Sequence, residues 1–135
     1  MKMFEWNNSY SVDIESIDKE HIGLFNLINK LYEAMSEGKG SEILNDIVEQ
    51  LTKYAKVHFK REEFLFKSTN YPDMAAHINQ HEVFIAKVKE FQKGVDQKKI
   101  NVSVEVISFL GDWLINHIKL SDKKYGPHLK KYHVK

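Results

Sequence analysis

The stretch "AHINQHEVF", residues 75–83, decides how the rest of the chain is read. As helix, it puts His77 and His81 one turn apart on a single face, beside Ile78 and Phe84. The stripe continues through Ile85, Val88 and Phe91, so residues 73–94 carry a helical period. Two imidazoles on an apolar face are costly. A polar group buried without a partner loses a few kcal/mol.

The same period recurs three more times. Over 18–37 it is His21, Leu24, Phe25, Ile28, Leu31, Tyr32 and Met35. Over 41–67 it is Leu44, Ile47, Leu51, Tyr54, His58, Glu62 and Leu65. Over 103–120 it is Val106, Ile107, Leu110, Trp113, Leu114, His117 and Ile118. Breaks fall at "SEGKGS" (36–41), "STNYPD" (68–73), "KGVDQKKINVS" (93–103) and "YGP" (125–127), the last ending whatever precedes it. Asp18, Ser41, Asp73 and Ser103 stand where N-caps are expected. Four helices of ~20 residues, each ~30 Å long, follow. Short connections make neighbours antiparallel. The fold class is all-α, an up-down-up-down antiparallel four-helix bundle. Residues 1–17 form an extended N-terminal arm, with Phe4, Trp6 and Tyr10 packing on the bundle, and 121–131 form a short C-terminal helix. "NVSVEVISF" alternates like a strand, but the helical period running on to Ile118 outweighs it.

At 135 residues, the chain is read as one domain, 1–135, able to hold a core without staples. Twenty basic and 19 acidic residues leave a net charge of +1, which gives no reason to expect nucleic acid or an anionic membrane as partner. The absence of cysteine excludes disulfides, thiolate metal sites and cysteine nucleophiles. No apolar run reaches signal-peptide or bilayer-spanning length, so the expected location is cytoplasmic.

The informative residues are the polar ones on the apolar stripes. His21, His58, His77, His81 and His117 lie there, with Glu62 one turn after His58 and Asp122 five residues after His117. Each alone reads as a core histidine or a helix-end acid. Together they share a depth. His21 starts the first helix and His58 nears the end of the second; His77 and His81 start the third, and His117 nears the end of the fourth. In an antiparallel bundle those places are one end. A metal resolves the burial, since imidazoles and carboxylates become its ligands. Two octahedral ions need about twelve donor positions. Five imidazoles, two bridging carboxylates and a shared oxo or hydroxo group fall one short of that. The nitrogen-rich, thiolate-free set favours iron, then manganese; zinc does not need such crowding.

The pieces "IDKEHIGLF" (17–25), "HFKREE" (58–63), "YPDMAAHINQHEVF" (71–84) and "WLINHIKLSDKKY" (113–125) resemble those of the hemerythrins, single-domain bacterial members in particular, in order and spacing over essentially the whole chain. Phe66 stands where a methionine is common in the family. The resemblance implies a di-iron centre with an oxo or hydroxo bridge. It gives His77, His81 and His117 to one iron, His21 and His58 to the other, and makes Glu62 and Asp122 the bridges. The free position then falls on the two-histidine iron, where dioxygen binds reversibly. Leu24, Phe59, Trp113, Leu114 and Ile118 are expected to form a dry apolar pocket, a role compatible with core packing. The implied function is dioxygen storage, delivery or sensing, with an oxygen-using or signalling protein as a possible partner. The alternatives are a di-iron enzyme reducing peroxide or nitric oxide, and a metal-storage or zinc bundle. The Glu-x-x-His pairs of carboxylate-rich di-iron oxygenases are absent. His128 and His133 fall outside the pattern and read as surface residues. Lys119 could face the site or solvent.

Overall fold

Each apolar stripe folds as helix in the computed structural model, which describes residues 4–99 and 101–132. α1 (Glu15–Ser36) and α4 (Met74–Asp96) run without interruption. The other two rods are composite. α2 (Gly40–Tyr54) passes through a π-helical turn, Ala55–Phe59, into α3 (Lys60–Thr69). α5 (Val102–Trp113) passes through a longer π segment, Leu114–Asp122, into α6 (Lys123–Lys130). The four rods form the antiparallel bundle: α1 packs on α2 and α5, and α4 packs on α2, α3 and α5. The alternating run after Asn101 is helix, and the described residues contain no strand.

The π segments have a geometric consequence. In an α-helix, residues five apart point about 140° away from each other. Closing the backbone at i→i+5 brings them to one side. His117 and Asp122 both lie inside the second π segment, and both are buried.

Several local expectations are corrected. α1 begins behind Ile14, so Asp18 is not its cap. The Asp18 carboxylate accepts from Ser11 Oγ at 2.6 Å and from the Val12 backbone N–H at 2.9 Å, pinning the arm to the helix. Ser41 and Ser103 fall inside first turns, behind Lys39 and Asn101, while Asp73 does occupy the cap position of α4. The "YGP" triplet does not stop the last helix: α6 carries Pro127 inside it and runs on to Lys130. Gly126 is required for a close crossing, since a Cβ there would lie 2.6 Å from the Val12 carbonyl oxygen. Ile85 leaves the buried stripe and is exposed.

The arm packs as expected. Trp6 and Tyr10 set their rings edge-on to Phe25, at 5.4 and 4.7 Å, and Phe4 pairs its backbone N–H and carbonyl with the Asn29 side chain. The buried apolar residues form two clusters. The larger fills the bundle and includes Leu24, Phe84, Trp113 and Leu114. The smaller contains Val12, Ile14, Ile17, Phe66, Tyr71, Tyr125 and Leu129. The buried histidines and acids belong to neither cluster. On their helices they fall between residues of the two: Leu24 and Phe84 follow His21 and His81 by one turn, and Tyr125 follows Asp122.

Candidate metal centre

His21, His58, Glu62, His77, His81, His117 and Asp122 are all buried and converge. They form two donor groups. One brings ligand atoms of Glu62, His77, His81 and His117 within 4.8 Å of one another; the other does the same for His21, His58, Glu62 and Asp122. The regular helices α1 and α4 contribute three imidazoles. The composite rods contribute the other two and both acids.

The carboxylates span the groups. Glu62 turns Oε2 toward His58 Nε2 at 3.4 Å and Oε1 toward His81 Nε2 at 2.9 Å. Asp122 turns Oδ2 toward His21 Nε2 at 3.0 Å and Oδ1 toward His77 Nε2 at 2.7 Å and His117 Nε2 at 2.9 Å. Yet Nε2 of His77, His81 and His117, Oε1 of Glu62 and both Asp122 oxygens make no hydrogen bond. The distances are short, but the directions are not those of donor and acceptor. Buried polar atoms are normally satisfied, so this many orphans in one place calls for an ion. The donor set fits a pair of transition-metal ions.

The far sides of the rings are held. His58 Nδ1 donates to Glu20 at 3.1 Å, His81 Nδ1 to Glu63 at 3.0 Å and His117 Nδ1 to Gln80 Oε1 at 2.6 Å. A proton fixed on Nδ1 leaves the Nε2 lone pair facing inward, as a metal requires. The Tyr125 hydroxyl donates to Glu62 Oε2. None of these partners was found from the sequence. Three of them, Glu20, Glu63 and Gln80, adjoin a site residue in the chain, and that was the available signal.

Charge balance in the metal-free protein follows from burial and proximity. Burial opposes a charge on His58, but Glu62 and Glu20 beside it push it from its ordinary 6.5 up to about 10. Burial keeps His117 below its usual value despite Asp122. Burial disfavours the charged forms of Glu62 and Asp122 as well, but the surrounding imidazoles hold both below the usual carboxylate range. Burial first, then the Glu62 and Asp122 charges, push the Tyr54 and Tyr125 phenols well above 10.

The five pocket residues are all buried but not equivalent. Phe59 stacks on His81, with centroids 3.8 Å apart, and Trp113 on His117 at 3.9 Å, so both cover the three-histidine group. Leu24 lies one turn after His21. Phe66 packs edge-on to His77 at 4.9 Å. Lys119 sets its ammonium over the Tyr10 ring, 5.6 Å from the centroid. His128 is half-buried rather than a free surface residue, donating from Nε2 to the Thr69 carbonyl at 2.9 Å. His133 lies outside the described residues.

Residues 12–129 match the Hemerythrin HHE cation binding domain. The chain belongs to the hemerythrin family. It is 32% identical over 128 residues to a bacteriohemerythrin of Methylococcus capsulatus, covering 94% of this chain and 97% of the relative. A myohemerythrin of Theromyzon tessulatum is 36% identical over 122 residues, covering 90% of each chain. A wild-type hemerythrin crystal structure superposes with a TM-score of 0.84 at 31% identity, covering 94% of this chain and 98% of the other. Hemerythrins bind dioxygen at a non-haem di-iron centre, and oxygen binding rather than catalysis is their activity. The two buried donor groups of this hemerythrin are of the kind such a centre needs.

Proposed function

We propose that this hemerythrin binds dioxygen reversibly for storage, delivery or sensing, with His77, His81 and His117 holding one iron and His21 and His58 the other. Glu62 and Asp122 bridge the pair. The observation that carries this reading is the splitting of each carboxylate, one oxygen toward each histidine group. When bound, two ferrous ions supply the two electrons that hold dioxygen reversibly.

The chain's own residues do the rest. Glu20, Glu63 and Gln80 orient three imidazoles. Tyr125 fixes Glu62. The smaller apolar cluster stands on the carboxylate side, and Leu24, Phe59, Trp113, Leu114 and Ile118 form the dry walls on the bundle side. Water and reductants are thereby kept from the centre. Among the described residues, no helix is long and apolar enough to cross a membrane, which agrees with a cytoplasmic protein acting on a diffusible gas. An oxygen-using or signalling protein would receive the delivered gas or read the bound state.

A spectrum tests this. Iron-loaded protein, reduced without air and then exposed to dioxygen, should gain a visible charge-transfer band that vanishes when the gas is removed. No such band, or one that persists after removal, would overturn the reading.

A further inference from the structure

The positions around the centre fall on two sides. Glu62 follows His58 by one turn, and Asp122 closes the π segment after His117, so both carboxylates approach from the side of the smaller apolar cluster. Going the other way, one turn deeper into the bundle, His21 is followed by Leu24 and His81 by Phe84. His117 is preceded by Trp113 and Leu114, and His58 by Tyr54. These residues share a layer: Tyr54 lies 6.0 Å from Phe84 and Phe84 4.7 Å from Trp113, ring centre to ring centre. Protein donors occupy the carboxylate side. An exogenous ligand must therefore meet this deeper layer.

Within that layer, only Tyr54 and Trp113 carry side-chain polar atoms, and both atoms are buried without a hydrogen-bond partner. Trp113 is committed to the three-histidine group through its stack on His117. Tyr54 stacks on His58 instead, with centroids 4.9 Å apart and planes 15° from parallel. Its hydroxyl is a proton donor without an acceptor beside the two-histidine group. Tyr54 also lines a surface groove of about 520 Å³, with Gly23, Leu27, Val57 and His58. A buried, unpaired hydroxyl costs stability. A ligand that accepts from it offsets that cost.

Resting on the ligand assignment above, we propose that Tyr54 is a specificity-determining residue whose hydroxyl donates a hydrogen bond to the exogenous ligand at the two-histidine half of the centre. Ligands that carry acceptor charge when bound, such as dioxygen and small anions, are then favoured over ligands that carry none. Among the wall residues only Trp113 carries a polar hydrogen, and its ring is committed to the three-histidine group.

The test uses iron-loaded, oxidised protein, azide as probe, and Tyr54→Phe. Iron content is measured first. Loss of iron on Glu62→Ala and its retention in Tyr54→Phe separate the ligand assignment from the role of Tyr54. With iron retained, azide should bind roughly 10-fold more weakly to Tyr54→Phe, the effect of one hydrogen bond to a charged acceptor. The vibrational band of bound azide should shift between H2O and D2O in the parent protein and not in the variant. Equal azide affinity and the same isotope response in both proteins would overturn the proposal. Should the variant fail to load iron, the parent and Trp113→Phe decide: a parent azide band insensitive to D2O, or a response lost in Trp113→Phe, overturns the proposal, and a response kept in Trp113→Phe sustains it.

Discussion

The two halves of the centre are built differently. Around His77, His81 and His117 the protein is the more closed: Phe59 and Trp113 stack on two of the imidazoles, and Glu63 and Gln80 hold the outer nitrogens of the same two, although a groove of about 340 Å³ reaches His117. Around His21 and His58 it is more open: His58 is stacked on Tyr54 and held by Glu20, but the outer nitrogen of His21 is not held. His21 Nδ1 and the Tyr54 hydroxyl are buried without partners, and a groove reaches His58 from outside. Each half keeps an unpaired donor, the Trp113 N–H or the Tyr54 hydroxyl, and each is reached by a groove; what separates them is that one group brings three imidazoles and the other two. The asymmetry argues that exchange with solvent gases occurs at His21 and His58, while the other half holds the centre in place.

The strongest way to break this comparison is to remove a group both halves share. Glu62 faces both sets of imidazoles. Glu62→Ala should take iron from two per chain to near none, measured by metal analysis, because neither half keeps its bridge. His128→Ala, which removes only a bond to Thr69, should leave iron unchanged. If Glu62→Ala kept one iron, the halves would be independent sites, and the bridging assignment would fall.

How much of this was legible beforehand turns on helix geometry. His77 and His81 declare themselves, because one-turn spacing in a regular helix is the plainest signal a sequence carries. His58 and Glu62 do so by the same spacing, although His58 lies in the π turn that precedes α3. Asp122 is different. Five residues from His117, it reads as a helix-end acid under any α-helical period, and Leu114–Asp122 contains neither glycine nor proline to announce a π segment. The need for paired carboxylates and the likeness of "WLINHIKLSDKKY" to the hemerythrins drew it into the set. The cap at Asp18 failed because its carboxylate is taken by the arm, through Ser11 and Val12, while α1 starts behind Ile14. Ser41 and Ser103 miss by two residues, each falling in the first turn. Tyr54 was visible as a stripe residue, but its unpaired hydroxyl is a property of packing, which the sequence does not display.

A smaller effect separates the halves by charge. In the metal-free protein His58 is raised from 6.5 to about 10. Its contribution to stability is complete below 6.5 and is lost as pH rises toward 10. Glu62 and Asp122 are depressed from 4.5 and 3.8, so their contributions hold above those values and are lost as pH falls. His117 is lowered, which works against the fold at acid pH. Urea unfolding of the metal-free protein should therefore show greatest stability between about pH 4.5 and 6.5, declining as the medium becomes alkaline. Glu20→Gln should flatten the alkaline decline, since Glu20 helps hold the His58 proton. Stability that rose steadily from pH 6.5 to 10 would contradict the ion pairing of His58.

The smallest expected effect concerns the outer acids, and it sharpens the comparison most. Glu63 supports His81 in the closed half and Glu20 supports His58 in the open half. Losing such a support commonly costs 10–100-fold in metal affinity. The two losses should differ. Arg61 Nε lies 3.4 Å from the same Glu20 oxygen that His58 uses, drawing charge from that bond, while no cation pairs with Glu63 among the described residues. Glu20→Ala should fall near the lower end of that range and Glu63→Ala near the upper, measured by competition with a chelator. Arg61→Ala, which releases Glu20 to His58 alone, should tighten metal in the open half and leave the closed half unchanged. If Glu20→Ala proved the costlier change, the open half would be the better supported of the two, and the direction of the asymmetry would reverse.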